Sequence, residues 1–266
     1  MTDVPENNQP RILTVGEGDA ARDIATLVRP ARAAGPALVW LGGYRSDMTG
    51  TKAVEMDALA GRLGLRAVRF DYSGHGASGG AFRDGTISRW LEEALAVIDD
   101  AGDPQVVLVG SSMGGWIALR LVQEIARRGS GPKIVGIVLI APAPDFTAEL
   151  IEPHLGEAER RSLLEKGYFE EPSEYSPEPN IYTRALIEDG RSNLVLDGII
   201  KTHCPVHILQ GMNDPDVPYT HALRLIEHLP ADDVVLTLIR DGDHRLSRPQ
   251  DIERMVAAIT ALATPG

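Results

Sequence analysis

Ser112 stands at the centre of Gly110-Ser111-Ser112-Met113-Gly114, a match to G-x-S-x-G. A serine hydroxyl becomes a strong nucleophile only when a base takes its proton and a third group orients that base. Seven histidines are available. Two of them lie in loops just after stretches that read as strands: His244, in Arg240-Asp-Gly-Asp-His-Arg245, and His75, in Asp71-Tyr-Ser-Gly-His-Gly-Ala-Ser78. His244 is the expected base, because it follows the serine and sits between the last strand and the last helix. His75 reads as a residue that shapes a glycine loop. His207 alternates within a strand, His221 and His228 read as helix-surface residues, and His154 and His203 belong to a long insertion and its return.

The orienting carboxylate is sought in Gln210-Gly-Met-Asn-Asp-Pro-Asp-Val-Pro218. Asp214 and Asp216 compete for the role. Asp214 is nearer the strand end, where the backbone is fixed, and Pro215 stiffens the turn directly after it; it is the expected acid. Asp216 suits a turn hydrogen bond, and Asp145, after an earlier strand, is a third possibility. An acyl-transfer oxyanion also needs two backbone N–H donors. Met113, next to the serine, is one expectation; the other is Tyr44, following Gly42-Gly43.

These residues need elements to carry them. Val106 to Val109 is an apolar, β-branched run suited to a strand buried on both faces. After the serine the period changes: Ile117, Leu121 and Ile125 recur every four residues and Gly129 ends the run, which predicts a helix. Strand, tight turn and helix are the context that makes G-x-S-x-G a nucleophile elbow. Around it the sequence predicts an antiparallel pair (Arg11–Val15, Ile24–Arg29) and strands at 37–41, 66–70, 134–140, 205–210 and 234–239. Helices are expected at 51–63, 86–101, 219–229 and 252–262. Val54, Leu59 and Leu63 are available for the buried face of the first helix. Alternating strands and helices imply right-handed crossovers and a mostly parallel sheet covered on both faces, with reactive groups beyond the carboxyl ends of strands.

One stretch breaks the alternation. Between Pro142 and His203 no good strand is evident, only prolines and helical pieces near Glu157–Lys166 and Ile181–Gly190. So long an insertion is normally functional, and the expected organisation is a core over 1–141 and 204–266 with a helical cap over 142–203. Phe146, Leu150, Tyr168, Phe169, Tyr175 and Tyr182 are equally suited to line an acyl pocket or to form the cap's own core.

A net charge of −12 argues against a nucleic-acid surface and against attraction to anionic membranes. No apolar run reaches the ~20 residues of a membrane span. Met1 to Pro10 has neither the basic start nor the apolar core of a signal peptide. One cysteine, Cys204, rules out an internal disulfide and fits a reducing, cytoplasmic setting; its place at the start of an apolar run suits packing. No phosphate-binding loop and no clustered ligand set calls for a cofactor or a metal.

Leu41-Gly-Gly-Tyr44, Asp71 to Ser78, Gly110 to Gly115, Gly211 to Pro218 and Asp243-His244 together resemble the α/β-hydrolase superfamily over essentially the whole chain. More narrowly, Gly43 to Ala53, Arg69 to Gly74 and Val109 to Trp116 resemble its acyl-protein thioesterase and acyl-glucuronide esterase branch. The resemblance implies a Ser112–Asp214–His244 hydrolase of carboxylic esters or thioesters, acting on a small-molecule or acyl-protein substrate without a cofactor. The same fold used for another reaction class, or as a non-catalytic binding module, are the competing expectations.

Overall fold

The computed structural model describes residues 9–173, 177–229 and 233–264. In chain order the elements are β1 (Arg11–Val15), β2 (Arg22–Arg29), β3 (Ala37–Leu41), α1 (Thr51–Leu63), β4 (Ala67–Phe70), α2 (Ile87–Ala101), β5 (Gln105–Ser111), α3 (Met113–Arg128) and β6 (Lys133–Ile140). The insertion carries α4 (Glu157–Glu165), β7 (Tyr168–Glu171), β8 (Asn180–Thr183) and α5 (Arg184–Gly190). The chain then closes with β9 (Val206–Gly211), α6 (Tyr219–His228), β10 (Val234–Ile239) and α7 (Pro249–Ala263).

Eight strands form one sheet in the order β1-β2-β4-β3-β5-β6-β9-β10. The β1–β2 and β2–β4 pairs are antiparallel and every later pair is parallel. Both faces are apolar, and the strand period of two divides the side chains between them. Val106 and Leu108 of β5 pack with α2 and α3, whereas Val107 and Val109 pack with α1 and α7. Burying each such side chain stabilises the fold by about 1.5–3 kcal/mol. The face of α1 differs from the expected one: Ala53, Met56, Leu59 and Ala60 are buried while Val54 is 44 % exposed. Ala53, Met56 and Ala60 recur at three- and four-residue spacing on the sheet-facing side, and Val54 falls about 100° away from Ala53 on the helix.

The insertion is not purely helical. β7 and β8 form an antiparallel hairpin, with Phe169 opposite Tyr182. Four-residue strands are too short to display a period, and an isolated two-stranded ribbon is marginal in water. This one is held because Phe169 packs with Leu163 and Ile187 in a small cluster of its own. The helix expected from Ile181 begins at Arg184, where Thr183 caps it by accepting the Leu186 N–H.

Asp145 ties the two ends of the insertion together. It is buried at φ 55°, and its carboxylate accepts the Val195 and Leu196 N–H groups at 2.9 and 2.8 Å. Burial pushes its carboxyl up to about 6 from an ordinary 3.8, against the pull of those two donors. The folded state therefore binds this proton more tightly than the unfolded chain does. The stability so gained is complete below about pH 4 and is lost as pH rises through about 6. Asp145→Asn removes the titration, so the wild-type-minus-variant difference in unfolding free energy should decline by on the order of 2–3 kcal/mol between about pH 4 and pH 7. Urea unfolding at the two pH values checks this; a constant difference would contradict it.

Candidate active site

Ser112 follows β5 directly and serves as the residue before α3, with φ 53° and ψ −118°. A residue with a Cβ pays about 1–3 kcal/mol for such a backbone, so its surroundings must enforce it. The Ser112 N–H donates to the Ile140 carbonyl at 2.9 Å, and its own carbonyl accepts from Gly115 at 2.9 Å and Ala143 at 3.1 Å. The two glycines of the motif are demanded by separate contacts. A Cβ on Gly110 would lie 2.4 Å from the Gly114 carbonyl oxygen, and one on Gly114 would lie 2.0 Å from that of Leu41. The first contact closes the elbow; the second seats it against the end of β3.

Three loops at carboxyl ends of parallel strands meet here. His244 arrives after β10 and Asp214 after β9. His244 Nε2 lies 3.1 Å from Ser112 Oγ, and His244 Nδ1 lies 2.8 Å from Asp214 Oδ2. With an ionised Asp214 as acceptor, Nδ1 carries the imidazole proton and Nε2 is left to accept the serine O–H. The other Asp214 oxygen accepts the Asp216 and Val217 N–H groups at 2.9 and 2.8 Å. Asp216 thus supports Asp214 through its backbone while its own side chain is exposed. Asp145 is engaged at the insertion, away from this chain of hydrogen bonds.

Asp214, Asp216 and His244 offer ligand atoms within 4.8 Å of one another, the spacing of a metal site. A hydrogen bond accounts for the Asp214–His244 approach, and the backbone bond from Asp216 to Asp214 brings the exposed Asp216 carboxylate near. Both Asp214 oxygens and the inner ring nitrogen are spent on each other and on neighbouring N–H groups.

Gln210 was not singled out from the sequence. Fully buried at the end of β9, it donates from Nε2 to Asp214 Oδ2 at 3.1 Å and to the Val217 carbonyl at 3.0 Å. The signal is a lone amide closing the strand Val206-His-Ile-Leu209, four residues before Asp214.

The loop after β3 passes against the serine. A Cβ on Gly43 would lie 3.3 Å from both the Ser111 carbonyl oxygen and Ser112 Cβ. Tyr44 comes next; its ring stacks on Tyr182 with centroids 5.4 Å apart and meets Phe82 edge-on at 4.9 Å. Its hydroxyl donates to the Ile181 carbonyl of β8. Arg45, at φ 56°, donates to the Pro179 carbonyl at 2.8 Å and pairs with Glu178 at 2.7 Å. The insertion is therefore fastened to the very loop that borders the serine.

The described aromatic residues of the insertion make packing contacts. Phe169 belongs to its small core, Tyr182 bridges that core to Tyr44, and Tyr168 lies under the Arg83 guanidinium at 3.9 Å. Phe146 packs edge-on to Trp116 at 5.5 Å, and Leu150 packs against the main core. Tyr175 lies outside the described residues. His221 is not a surface residue: it is buried under the start of the insertion, and its Nε2–H donates to the Pro144 carbonyl at 2.7 Å. The α6 helix starts immediately beneath that loop, so its first turn faces protein. Cys204 packs at the edge of the core, where burial pushes its thiol up to about 11 and disfavours the thiolate.

A model of the alpha/beta hydrolase family matches residues 16–258. Human palmitoyl-protein thioesterase ABHD10, mitochondrial, is 33 % identical over 229 residues, which are 85 % of this chain and 72 % of that protein. Among solved structures, a hydrolase candidate from Agrobacterium vitis S4 is 70 % identical with a TM-score of 0.95, covering 96 % of this chain and 99 % of that one. Mouse alpha/beta hydrolase domain-containing protein 10 is 28 % identical with a TM-score of 0.81, covering 95 % of this chain and 98 % of that one. No helix among the described residues is long and apolar enough to cross a membrane.

Proposed function

The chain belongs to the alpha/beta hydrolase family, and we propose that it is a serine hydrolase of carboxylic esters and thioesters working through Ser112, His244 and Asp214. The observation that carries this reading is the unbroken run from Ser112 Oγ to His244 at 3.1 Å and on to Asp214 at 2.8 Å. It starts on a half-buried serine that a substrate can reach.

In the proposed cycle His244 Nε2 takes the Ser112 proton as Oγ attacks the acyl carbonyl. Asp214 holds the imidazole in the required tautomer and stabilises the imidazolium. The oxyanion is received by the N–H groups of Met113 and Tyr44. Met113 opens α3, where the first N–H groups of a helix have no acceptor within it, and the helix dipole favours negative charge. Tyr44 follows the glycine that lies against Ser112. His244 then returns its proton to the departing alcohol or thiol, and water releases the acyl group by the same route. No step asks for a metal or a cofactor. We propose a reducing, cytoplasmic setting for the enzyme, which suits a chain with a single cysteine.

The resemblance to a palmitoyl-protein thioesterase makes acyl thioesters the first substrates to try. A chain-length series of p-nitrophenyl esters beside acyl thioesters and acyl glucuronides tests the assignment. Turnover of at least one class, with covalent labelling by a fluorophosphonate, is the expected result. Labelling without turnover of any of them would move the enzyme to another bond class, and absence of both would make it a binding module.

A further inference from the structure

Resting on the hydrolase reading above, we infer that His75 is a positioning residue for the oxyanion loop: its Nε2 accepts the Arg45 N–H and thereby sets the Tyr44 peptide beside Ser112. The contact is 3.2 Å long and comes from a side chain that is almost fully buried. Its target is an unusual piece of backbone. Arg45 has a left-handed φ of 56° without being glycine, so an external partner must hold it.

The consequence follows from connectivity. The Tyr44 N–H and the Arg45 N–H belong to successive peptides that share the Tyr44 Cα. Once His75 fixes the second, rotation about Tyr44 is the main freedom left to aim the first. The Tyr44 ring removes that freedom, since it is clamped between Phe82, Trp90, Phe146 and Tyr182 with centroids 4.9–6.0 Å away.

His75 is itself held from α2. Its Nδ1–H donates to the Ser73 carbonyl at 3.2 Å, and that carbonyl also accepts the Trp90 indole N–H at 3.3 Å. The Ser73 N–H donates to Glu93 at 2.8 Å, and Glu93 is paired with Arg22 at 2.5 Å. The imidazole edges meet Phe82 at 5.0 Å and Trp90 at 5.3 Å. The charged groups that bear on the ring are Arg45, which opposes its protonation, and Asp47, which favours it. Burial outweighs both and pushes the imidazole down to about 4, so at neutral pH Nε2 keeps the lone pair the amide needs. That lone pair is occupied, which leaves this histidine no part in proton transfer.

The test uses purified full chain, a short p-nitrophenyl ester, and rates normalised to the fluorophosphonate-reactive fraction. His75→Leu should lower kcat about 10- to 100-fold, a fraction of what losing one oxyanion donor does, with KM changed less than about threefold. Affinity for a trifluoromethyl ketone, which forms a tetrahedral adduct on the serine, should fall in parallel. His75→Gln, whose Oε1 reaches the same amide, should recover most of the loss. Should His75→Leu not fold, His75→Asn, too short to reach Arg45, takes its place. An amide-to-Nε2 coupling across the Arg45 hydrogen bond, seen by NMR in the wild type, would support the geometry directly. Wild-type kcat in folded His75→Leu, or equal losses in the Leu and Gln variants, overturns the inference alone. Absence of Ser112-dependent turnover in the wild type overturns it together with the hydrolase reading.

Discussion

Ser112→Ala is expected to lower kcat/KM for any ester or thioester substrate by a factor of about 10⁴–10⁶, the loss typical when a nucleophile of this kind is removed. The substitution is clean. Alanine keeps the Cβ that the elbow accommodates at φ 53°, and the backbone bonds from Ile140, Gly115 and Ala143 do not involve the hydroxyl. Folding should therefore be unchanged within about 0.5 kcal/mol, and fluorophosphonate labelling should vanish. What survives would be the contribution of the oxyanion donors and of binding, still well above the uncatalysed rate. Turnover within tenfold of wild type in a folded Ser112→Ala protein would show that the hydroxyl is not the nucleophile.

Asp214→Asn should reduce kcat by about 10⁴ while Asp216→Asn changes it less than about threefold. The reasoning is one of donors and acceptors. Asp214 accepts from four groups: His244 Nδ1, Gln210 Nε2, and the N–H groups of Asp216 and Val217. An asparagine offers one acceptor oxygen. If that oxygen serves the two backbone donors, its NH₂ faces both Gln210 and His244. The imidazole must then present a bare Nδ1 and carry its proton on Nε2, pointing at a hydroxyl it can no longer deprotonate. The NH₂ groups of residues 210 and 214 would also oppose each other in a fully buried place, costing about 1–3 kcal/mol of stability. At Asp216 only the backbone is used, so the exposed carboxylate is dispensable. Kinetics and thermal unfolding of the two variants decide it; a larger effect at Asp216 would reverse the assignment.

Much of this was written in the sequence because the relevant signals are local. The change from β-branched run to four-residue recurrence on either side of Ser112 marks the elbow, and strand-end loops mark Asp214 and His244. Nearness to the strand end and Pro215 favour Asp214 over Asp216 without showing what turns its carboxylate toward the histidine. That depends on whose backbone amides turn inward, and here Asp216 and Val217 donate to Asp214. The strand pair of the insertion is not legible in the sequence because four residues cannot establish a period of two, and because Phe169 and Tyr182 pair with each other rather than with neighbours along the chain. The burial of His221 is hidden for a related reason: a helix shows its own stripe, not the loop that lies over its first turn. His75 acts on the Arg45 amide, distant in the chain, and Gln210 folds back onto Asp214 and Val217 just beyond its own strand, through contacts that no spacing rule encodes.

The backbone angle at Ser112 has a consequence for the history of such a chain. Holding that angle draws about 1–3 kcal/mol from a total stability that for a domain is only about 5–15 kcal/mol. A glycine there would relieve it, and so a lineage released from the need for turnover would gain robustness by discarding its reactive residue. If the proposed chemistry holds, the strain at Ser112 is a stability cost that turnover, and not durability, would account for.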